Sequence, residues 1–209
     1  MIIKICGIQN KDTLICCEKI NVDFFGMIFY PKSPRNISLE NANILQKKSK
    51  DLNINGVGVF VDKNINELEA IIKNLKLRFV QLHGTEDDDY IKNLKQTGVK
   101  IIKSISISNK NDLRKISKYQ NVDYFLFDYK PMKNELPGGN AKSFNWNILK
   151  NLNTNKPWFL SGGISIKNIQ DILNDINPFG VDLSSGVEKE LGIKDNDIIN
   201  NFIDKLKNA

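Results

Sequence analysis

Two residues that can transfer protons each stand where an apolar run stops. Cys6 ends the run IIKIC, and Asp128 ends the run FLFD. A cysteine after an apolar run is commonly a small buried hydrophobic residue, and an aspartate there can also cap a helix or hold a loop. If both side chains reach one cavity, however, one can serve as a general base and the other as a general acid. The two residues are therefore our first candidates for an acid–base site.

Two later stretches, FLSGGIS and DLSSGVE, have the small residues of an anion-binding loop. The residues concerned are Gly162, Gly163, Ser184, Ser185 and Gly186. Glycines let backbone N–H groups approach an anion closely, and a helix N-terminus adds positive potential. The alternative is that these glycines only make tight turns. Because both stretches show the pattern, we expect them to bind a phosphate group, and we therefore expect a small phosphorylated substrate.

The elements that must position these residues alternate along the whole chain. Eight short apolar runs predict strands buried on both faces, as in a parallel sheet. The runs are Ile2–Ile5, Phe24–Tyr30, Val57–Val61, Phe79–Leu82, Val99–Ile102, Val122–Phe127, Pro157–Leu160 and Gly180–Leu183. Between them, apolar residues recur at helical spacing, as at 65–75, 166–176 and 198–206. Candidate helix starts are Ser38, Thr85 and Ser165.

Eight such strand–helix units predict a single (β/α)₈ TIM barrel over residues 1–209. A doubly wound open sheet is the alternative, because periodicity alone does not prove closure. In a barrel, the loops that follow the strands carry the chemistry, and phosphate commonly binds after strands seven and eight. Strands one and six lie across the barrel mouth from each other, so Cys6 and Asp128 could flank a substrate. The longest irregular stretch, 129–143, is typical of a functional loop.

Composition excludes several classes of function. The chain carries a formal charge of +6, but its lysines are scattered rather than clustered, which argues against a nucleic-acid groove. We find no apolar run near the ~20 residues that span a bilayer, and no signal peptide. Three cysteines without a disulfide pattern indicate a reducing compartment, and hence the cytoplasm. With a single histidine, His83, a metal site is not expected.

Several motifs together resemble phosphoribosylanthranilate isomerase of tryptophan biosynthesis. They are KICGI, FYPKSPR, VGVFV, VQLHG, LFDYK, FLSGGI and VDLSSGVE, and they occur in the family's order from Lys4 to about Asp195. The resemblance implies a cofactor-free (β/α)₈ barrel, a monomer or homodimer. It would convert N-(5'-phosphoribosyl)anthranilate into 1-(2-carboxyphenylamino)-1-deoxyribulose 5-phosphate by an Amadori rearrangement.

The resemblance also implies roles for individual residues. Cys6 matches the family's general base, Asp128 its general acid, and Arg35 the arginine that meets the anthranilate carboxylate. Asp182 matches an acidic residue beside the anthranilate ring, and the small residues of the two later stretches fall on the phosphate-binding loops. Since a free cysteine titrates near ~8.5, we expect nearby helix N-termini to lower the pKa of Cys6.

Three positions depart from the family pattern: Tyr129, Ala141 and Asn145, where a small hydroxyl residue, a glycine and an aspartate are usual. We interpret these as drift. His83 is expected to rest in the mouth with satisfied hydrogen bonds, and Gln81 to point into the barrel.

Three other functions are weighed against this one. The sister isomerase of histidine biosynthesis uses aspartates at both acid–base positions and binds two phosphates, which Cys6 and the single evident phosphate site argue against. A sugar-phosphate epimerase would need metal-binding histidines. A phosphate-binding barrel without catalysis is disfavoured by the presence of both Cys6 and Asp128.

Overall fold

Eight parallel strands close into a barrel in the computed structural model, which describes residues 1–207. The strands pair in chain order, and β1 pairs with β8 to close the ring. They are β1 (Ile2–Cys6), β2 (Phe24–Ile28), β3 (Asn55–Phe60), β4 (Phe79–Leu82), β5 (Lys100–Ile107), β6 (Tyr124–Tyr129), β7 (Trp158–Leu160) and β8 (Gly180–Leu183). The predicted barrel is confirmed, and the open sheet is wrong. The single-domain boundary at 209 stays a prediction, since residues 208 and 209 lie outside the described part.

Strand alternation divides the apolar residues into two clusters. A small cluster that includes Cys6, Leu126 and Phe159 lines the barrel interior. A larger cluster, which includes Ile3, Ile5 and most buried helix residues, fills the layer between the sheet and the helices. This division explains the continuous apolar runs in the sequence, because each strand is buried on both faces.

Aromatic rings fill the end of the barrel where the strands begin. The ring of Phe24 lies 5.0 Å from that of Phe79 and 6.1 Å from that of Phe159, in edge-to-face contacts. Tyr124 packs against Phe159 at 5.9 Å. Phe24, Phe79 and Tyr124 are the first residues of β2, β4 and β6. This apolar plug leaves only the opposite end, where the strands finish, open for a polar site.

The helices on the outside of the barrel are fewer than predicted. They are α1 (Lys11–Lys19), α2 (Leu39–Asp51), α3 (Ile65–Leu75), α4 (Asp88–Leu94), α5 (Ile169–Asp175) and α6 (Asn196–Lys207). After β5 and β6 the chain forms 3₁₀ segments at 110–118 and 146–149 instead of α-helices. After β8 a short hairpin, β9 (Glu188–Glu190) and β10 (Ile193–Lys194), precedes α6.

Of the three predicted helix starts, one is confirmed. The Ser38 side chain caps α2 by accepting from the Asn41 N–H. Thr85 and Ser165 were wrong, because Asp87 caps α4 and the backbone after Ser165 makes a turn before α5 begins at Ile169. A side chain that can cap a helix is therefore not sufficient to fix its start.

Within residues 1–207, none of the helices is both long and apolar enough to cross a lipid bilayer.

The aromatic plug leads to a stability prediction. Phe159 is fully buried, so we expect Phe159→Ala to lower the free energy of unfolding by about 3–5 kcal/mol through the cavity it leaves. Urea unfolding followed by circular dichroism measures this change. Leu191→Ala is the matched control, because Leu191 is 72% exposed and its truncation should change stability little. Equal stabilities of the two variants would contradict the role given to the plug.

Candidate active site

A cleft of about 530 Å³ opens where the strands end. Five of the residues predicted from sequence line it together: Cys6, Arg35, Asp128, Asp182 and Ser184. A second cavity of about 350 Å³ adjoins it and also contacts Asp128 and Asp182. Its other lining residues include all five small residues expected to bind phosphate, Gly162, Gly163, Ser184, Ser185 and Gly186. The two cavities therefore form one elongated site, whose first part also has apolar walls such as Ile28 and Val59.

The two candidate proton-transfer residues lie on different sides of this cleft. Cys6 is the last residue of β1, and Asp128 is next to last in β6, with β7 and β8 between them in the ring. Asp128 Oδ1 accepts a hydrogen bond of 2.8 Å from the backbone N–H of Tyr129. That donor is independent of the side chain at 129, so the departure of Tyr129 from the family pattern leaves it intact.

The pKa of Cys6 is shifted in the direction opposite to the one expected from the sequence. The thiol is buried, and this desolvation raises its pKa, which the nearby charge of Lys4 only partly opposes. The α1 helix begins at Lys11, after an intervening turn, and does not reverse the shift. The predicted lowering is therefore wrong for the unliganded protein, because loss of water outweighs nearby positive potential.

A buried ion pair lies inside the barrel, one inward position below Cys6. Lys4 Nζ and Asp182 Oδ1 are 2.8 Å apart, and both side chains are almost fully buried. The two residues are paired in the register between β1 and β8. Burial raises the pKa of Asp182 against the opposing charge of Lys4. The Asp182 carboxylate borders the cleft, but its hydrogen-bond partner is a lysine that the sequence reasoning missed.

Arg35 is held by a second buried network. Its Nε donates to Glu188 Oε1 at 2.7 Å, and its Nη2 donates to Glu188 Oε2 at 2.8 Å. Lys194 and the Gly192 N–H also donate to Glu188. Burial acts to raise the pKa of Glu188, but the hydrogen bonds and charges of Arg35 and Lys194 outweigh it and leave the pKa lowered.

The loop after β6 covers the outer edge of the Arg35 guanidinium. The bidentate contact with Glu188 uses Nε and one N–H of Nη2, the carbonyl of Gly139 accepts weakly from Nη2 at 3.3 Å, and Gly139 also packs against Nη1. A guanidinium has five N–H donors, so a planar anion could bind the edge that Nη1 shares with Nη2 if it replaced the Gly139 carbonyl. Sequence reasoning missed Glu188 and Lys194; the position of Glu188 in SSGVE was the available signal.

Two glycines explain how the backbone fits around these side chains. Gly7 has a φ of +84°, and a Cβ there would lie 2.9 Å from Arg35 Cδ, so the arginine stem crosses it directly. Gly162 has a φ of +85°, and a Cβ there would lie 3.0 Å from Asp128 Oδ1. Glycine is therefore required at both positions, and the backbone at Gly162 comes close to the candidate acid.

The loop after β6 closes over the site from above. Pro137 and Gly138 line the first cavity, and Gly138 and Lys142 line the second. Ala141, where the family commonly has glycine, adopts a φ of +54°. That conformation costs a residue with a Cβ about 1–2 kcal/mol. Asn145 still caps the following 3₁₀ segment by accepting from the Asn147 N–H, so asparagine in place of the usual aspartate preserves the cap.

Comparison with known proteins agrees with this geometry. The family description N-(5'-phosphoribosyl)anthranilate (PRA) isomerase matches residues 3–205. Enzymes of that name from Petrotoga mobilis and Clostridium acetobutylicum are 42% and 37% identical; the matches cover 98% of this chain in both cases, and 96% and 97% of the relatives. The chain belongs to the N-(5'-phosphoribosyl)anthranilate isomerase family. It is therefore an enzyme of the isomerase class.

Solved structures of the same family share the whole barrel. The crystal structure of phosphoribosyl anthranilate isomerase from Thermotoga maritima superimposes with a TM-score of 0.89 at 31% identity, over the full length of both chains. Another, in complex with reduced 1-(o-carboxyphenylamino)-1-deoxyribulose 5-phosphate, gives 0.85 at 30% identity, again over both full lengths. A third contains monomers generated from the dimeric Thermotoga maritima enzyme, with a TM-score of 0.85 at 30% identity and full coverage of both chains.

The cysteines and the possible metal ligands were compared with the expectations from sequence. All three cysteines are free thiols; Cys17 is buried in α1 and Cys16 is half-buried there. In the part of the chain that the structure describes, His, Cys, Asp and Glu side chains form no group of three or more that could hold a metal ion.

The raised pKa of Cys6 leads to a prediction about its reactivity. In the unliganded protein, we expect its alkylation by iodoacetamide to reach half its maximal rate at a pH above the ~8.5 at which a free cysteine titrates. Lys4→Met should move this midpoint higher still, because it removes the cation that opposes the shift. Peptide mass spectrometry follows Cys6 and Cys16 in one sample, and Cys16, which Lys4 does not influence, is the internal control. A midpoint near neutral pH would contradict the role given to burial.

Proposed function

We propose that this family member catalyses the Amadori rearrangement of N-(5'-phosphoribosyl)anthranilate to 1-(2-carboxyphenylamino)-1-deoxyribulose 5-phosphate in tryptophan biosynthesis. Asp128 acts as the general acid and Cys6 as the general base. The observation that carries this proposal is that both residues line one elongated cleft, between Arg35 at one part and the glycine-rich loops at the other. An aromatic carboxylate at one end and a phosphate at the other would suit such a cleft.

The reaction needs an acid first. Opening the furanose ring breaks the bond between C1 and the ring oxygen, and that oxygen must receive a proton as the bond breaks. Asp128 supplies this proton and becomes a carboxylate, while the nitrogen lone pair forms a C1=N double bond. The product of this step is a protonated Schiff base.

The reaction then needs a base. The positive iminium acidifies the proton on C2, and the Cys6 thiolate removes it to give an enolamine, which tautomerises to the ketone. Burial raises the thiol pKa in the unliganded protein, so the thiolate requires positive charge nearby. Lys4 provides one charge, and the iminium formed in the first step provides a second.

The ends of the substrate have different partners. Arg35, with its orientation fixed by Glu188, binds the anthranilate carboxylate through the edge that Nη1 shares with Nη2, where the carboxylate replaces the weak contact with Gly139. Asp182 lies beside the aromatic ring. The phosphate binds at the loops after β7 and β8. The Ser184 hydroxyl there already donates its hydrogen to the Cys6 carbonyl, so that hydrogen is not available to the phosphate. Backbone N–H groups of these loops are therefore the main phosphate donors.

The proposal requires no metal or organic cofactor, because the proton transfers use only the two side chains. Free cysteines are consistent with a cytoplasmic location. The chain acts as a monomer or a homodimer.

Turnover of N-(5'-phosphoribosyl)anthranilate, followed by the loss of its fluorescence, tests the function. We expect Cys6→Ala and Asp128→Asn to lower kcat at least ~10³-fold, since each removes a proton-transfer group that the chemistry requires. Cys16→Ala is the matched control, because that thiol lies on α1 away from the cleft. Absence of turnover by the unmodified protein would refute the function.

Binding distinguishes an enzyme from a barrel that only holds phosphorylated ligands. Calorimetry with a reduced, unreactive product analogue should give similar affinities for the unmodified protein and Cys6→Ala. If both bind the analogue and neither turns over substrate, the chain is a binding protein.

The buried contact with Glu188 predicts a defect in substrate binding. Glu188→Gln loses the charge that orients Arg35, so we expect KM to rise about tenfold while kcat changes less. Glu190→Gln on the same hairpin is the control, because Glu190 is exposed. Initial rates are measured where circular dichroism shows both variants folded. A KM unchanged from the unmodified protein would contradict a positioning role for Glu188.

A further inference from the structure

Two polar side chains at the end of β4 have no part in the proposed chemistry so far. Gln81 points into the barrel, as the sequence predicts, and is 1% exposed. His83 follows two residues later, so its side chain lies on the same side, and both line the cleft. Gln81 Oε1 and His83 Nε2 are both buried without a hydrogen-bond partner. The expectation from sequence that the hydrogen bonds of His83 are satisfied is therefore wrong. Because buried polar atoms usually have partners, the two atoms without one call for an explanation.

The contact between the two side chains selects one form of the imidazole. Gln81 Nε2 and His83 Nδ1 are 2.9 Å apart, a distance at which the amide N–H donates to an unprotonated Nδ1. The neutral ring then has its hydrogen on Nε2. This form also suits the other side of the ring, because Nε2 faces Asp128 Oδ2 at 3.3 Å. Once Asp128 has given up its proton, a lone pair on Nε2 would repel the carboxylate oxygen, whereas an N–H is attracted to it.

The two oxygens of Asp128 have different surroundings. Oδ1 accepts from the Tyr129 N–H at 2.8 Å, which leaves Oδ2 to carry the acidic proton. Oδ2 lies 3.3 Å from His83 Nε2, yet the two atoms do not form a hydrogen bond. Gly138 packs against both groups: a Cβ there would lie 3.1 Å from Nε2 and 3.2 Å from Oδ2. The loop after β6 therefore restricts the space around this pair.

We propose that His83, held in its Nε2–H form by Gln81, is a positioning residue that stabilises Asp128 as that residue gives up its proton. The proposal rests on the proposed function, in which the Oδ2 proton passes to the ring oxygen as the C1–O bond breaks. As negative charge develops on Oδ2, the Nε2–H bond to it shortens and aligns. His83 itself neither gains nor loses a proton.

Such a contact favours the transition state over the ground state. A neutral acid accepts a weak hydrogen bond, and a carboxylate accepts a strong one, so the interaction strengthens as the proton leaves. A separation of 3.3 Å without a formed hydrogen bond in the unliganded site is expected of a bond that tightens during reaction. Gln81 Oε1, which has no partner, is free to accept from a hydroxyl of the ribosyl group.

Kinetics of variants at position 83 test the proposal. We expect His83→Leu to lower kcat by about 10- to 100-fold with KM changed less than about threefold. His83→Gln, whose amide N–H can reach the same region, should recover most of the loss. Wild-type kcat in His83→Leu, or a loss confined to KM, would overturn the proposal. If the unmodified protein itself has no turnover, the proposed function fails instead, so the two failures are distinguishable.

Nitrogen NMR provides a readout that needs no turnover. The chain contains one histidine, so the imidazole signals of labelled protein are unambiguous. We expect the Nε2–H form in the unmodified protein and a shift toward a mixture of forms in Gln81→Leu, with kcat lowered in that variant. Circular dichroism checks that each variant is folded. A predominant Nδ1–H form in the unmodified protein would overturn the proposal.

Discussion

The ion pair between Lys4 and Asp182 is the interaction on which the site depends. It joins β1 to β8, the two strands that close the barrel, at a point where both side chains are buried. Removing two charges from water costs several kcal/mol per ion, and their mutual attraction recovers that cost only with good geometry. An apolar pair would close the barrel as well. The charged pair therefore serves the site above it: it holds a cation beneath Cys6, where burial alone would keep the thiol protonated.

A second buried ion pair also supports a residue of the cleft, His83. Lys103 and Glu86 are 2.8 Å apart with almost no exposure, and Glu86 also accepts from the backbone N–H of Gly84. These bonds hold the backbone immediately after His83, so they fix the direction from which its ring approaches Asp128. Preorganised charges of this kind lower the reorganisation that a reaction requires, because the surrounding dipoles are already aligned.

The sequence predicts the barrel well, but it does not predict features that depend on contacts between residues far apart in the chain or on burial. Eight buried runs and their order are sufficient for the architecture, and strand ends such as Cys6 and Asp128 indicate the mouth. The predicted start of α5 at Ser165 was wrong because the Asn168 side chain accepts from the Ser165 N–H, and this contact holds residues 165–168 in a turn before the helix. Glu188 was missed because its partner Arg35 is 153 positions away in sequence. The sign of the Cys6 pKa shift required burial to be known, since opposing effects act there.

The loop after β6 links the two parts of the cleft physically. Its Gly139 carbonyl accepts weakly from Arg35 Nη2, at the edge of the guanidinium where the substrate carboxylate is proposed to bind. Gly138 packs on His83 and Asp128, and Ala141 carries backbone strain in the wall of the phosphate cavity. A carboxylate that replaces the Gly139 contact would therefore act on a loop that also borders Asp128 and the second cavity. The left-handed backbone at Ala141 costs about 1–2 kcal/mol that a glycine would avoid, so contacts with Arg35, His83 and Asp128 hold this loop in place against its local backbone preference. The departure from glycine therefore acts on the loop, while Arg35, Asp128 and Cys6 keep their supporting contacts.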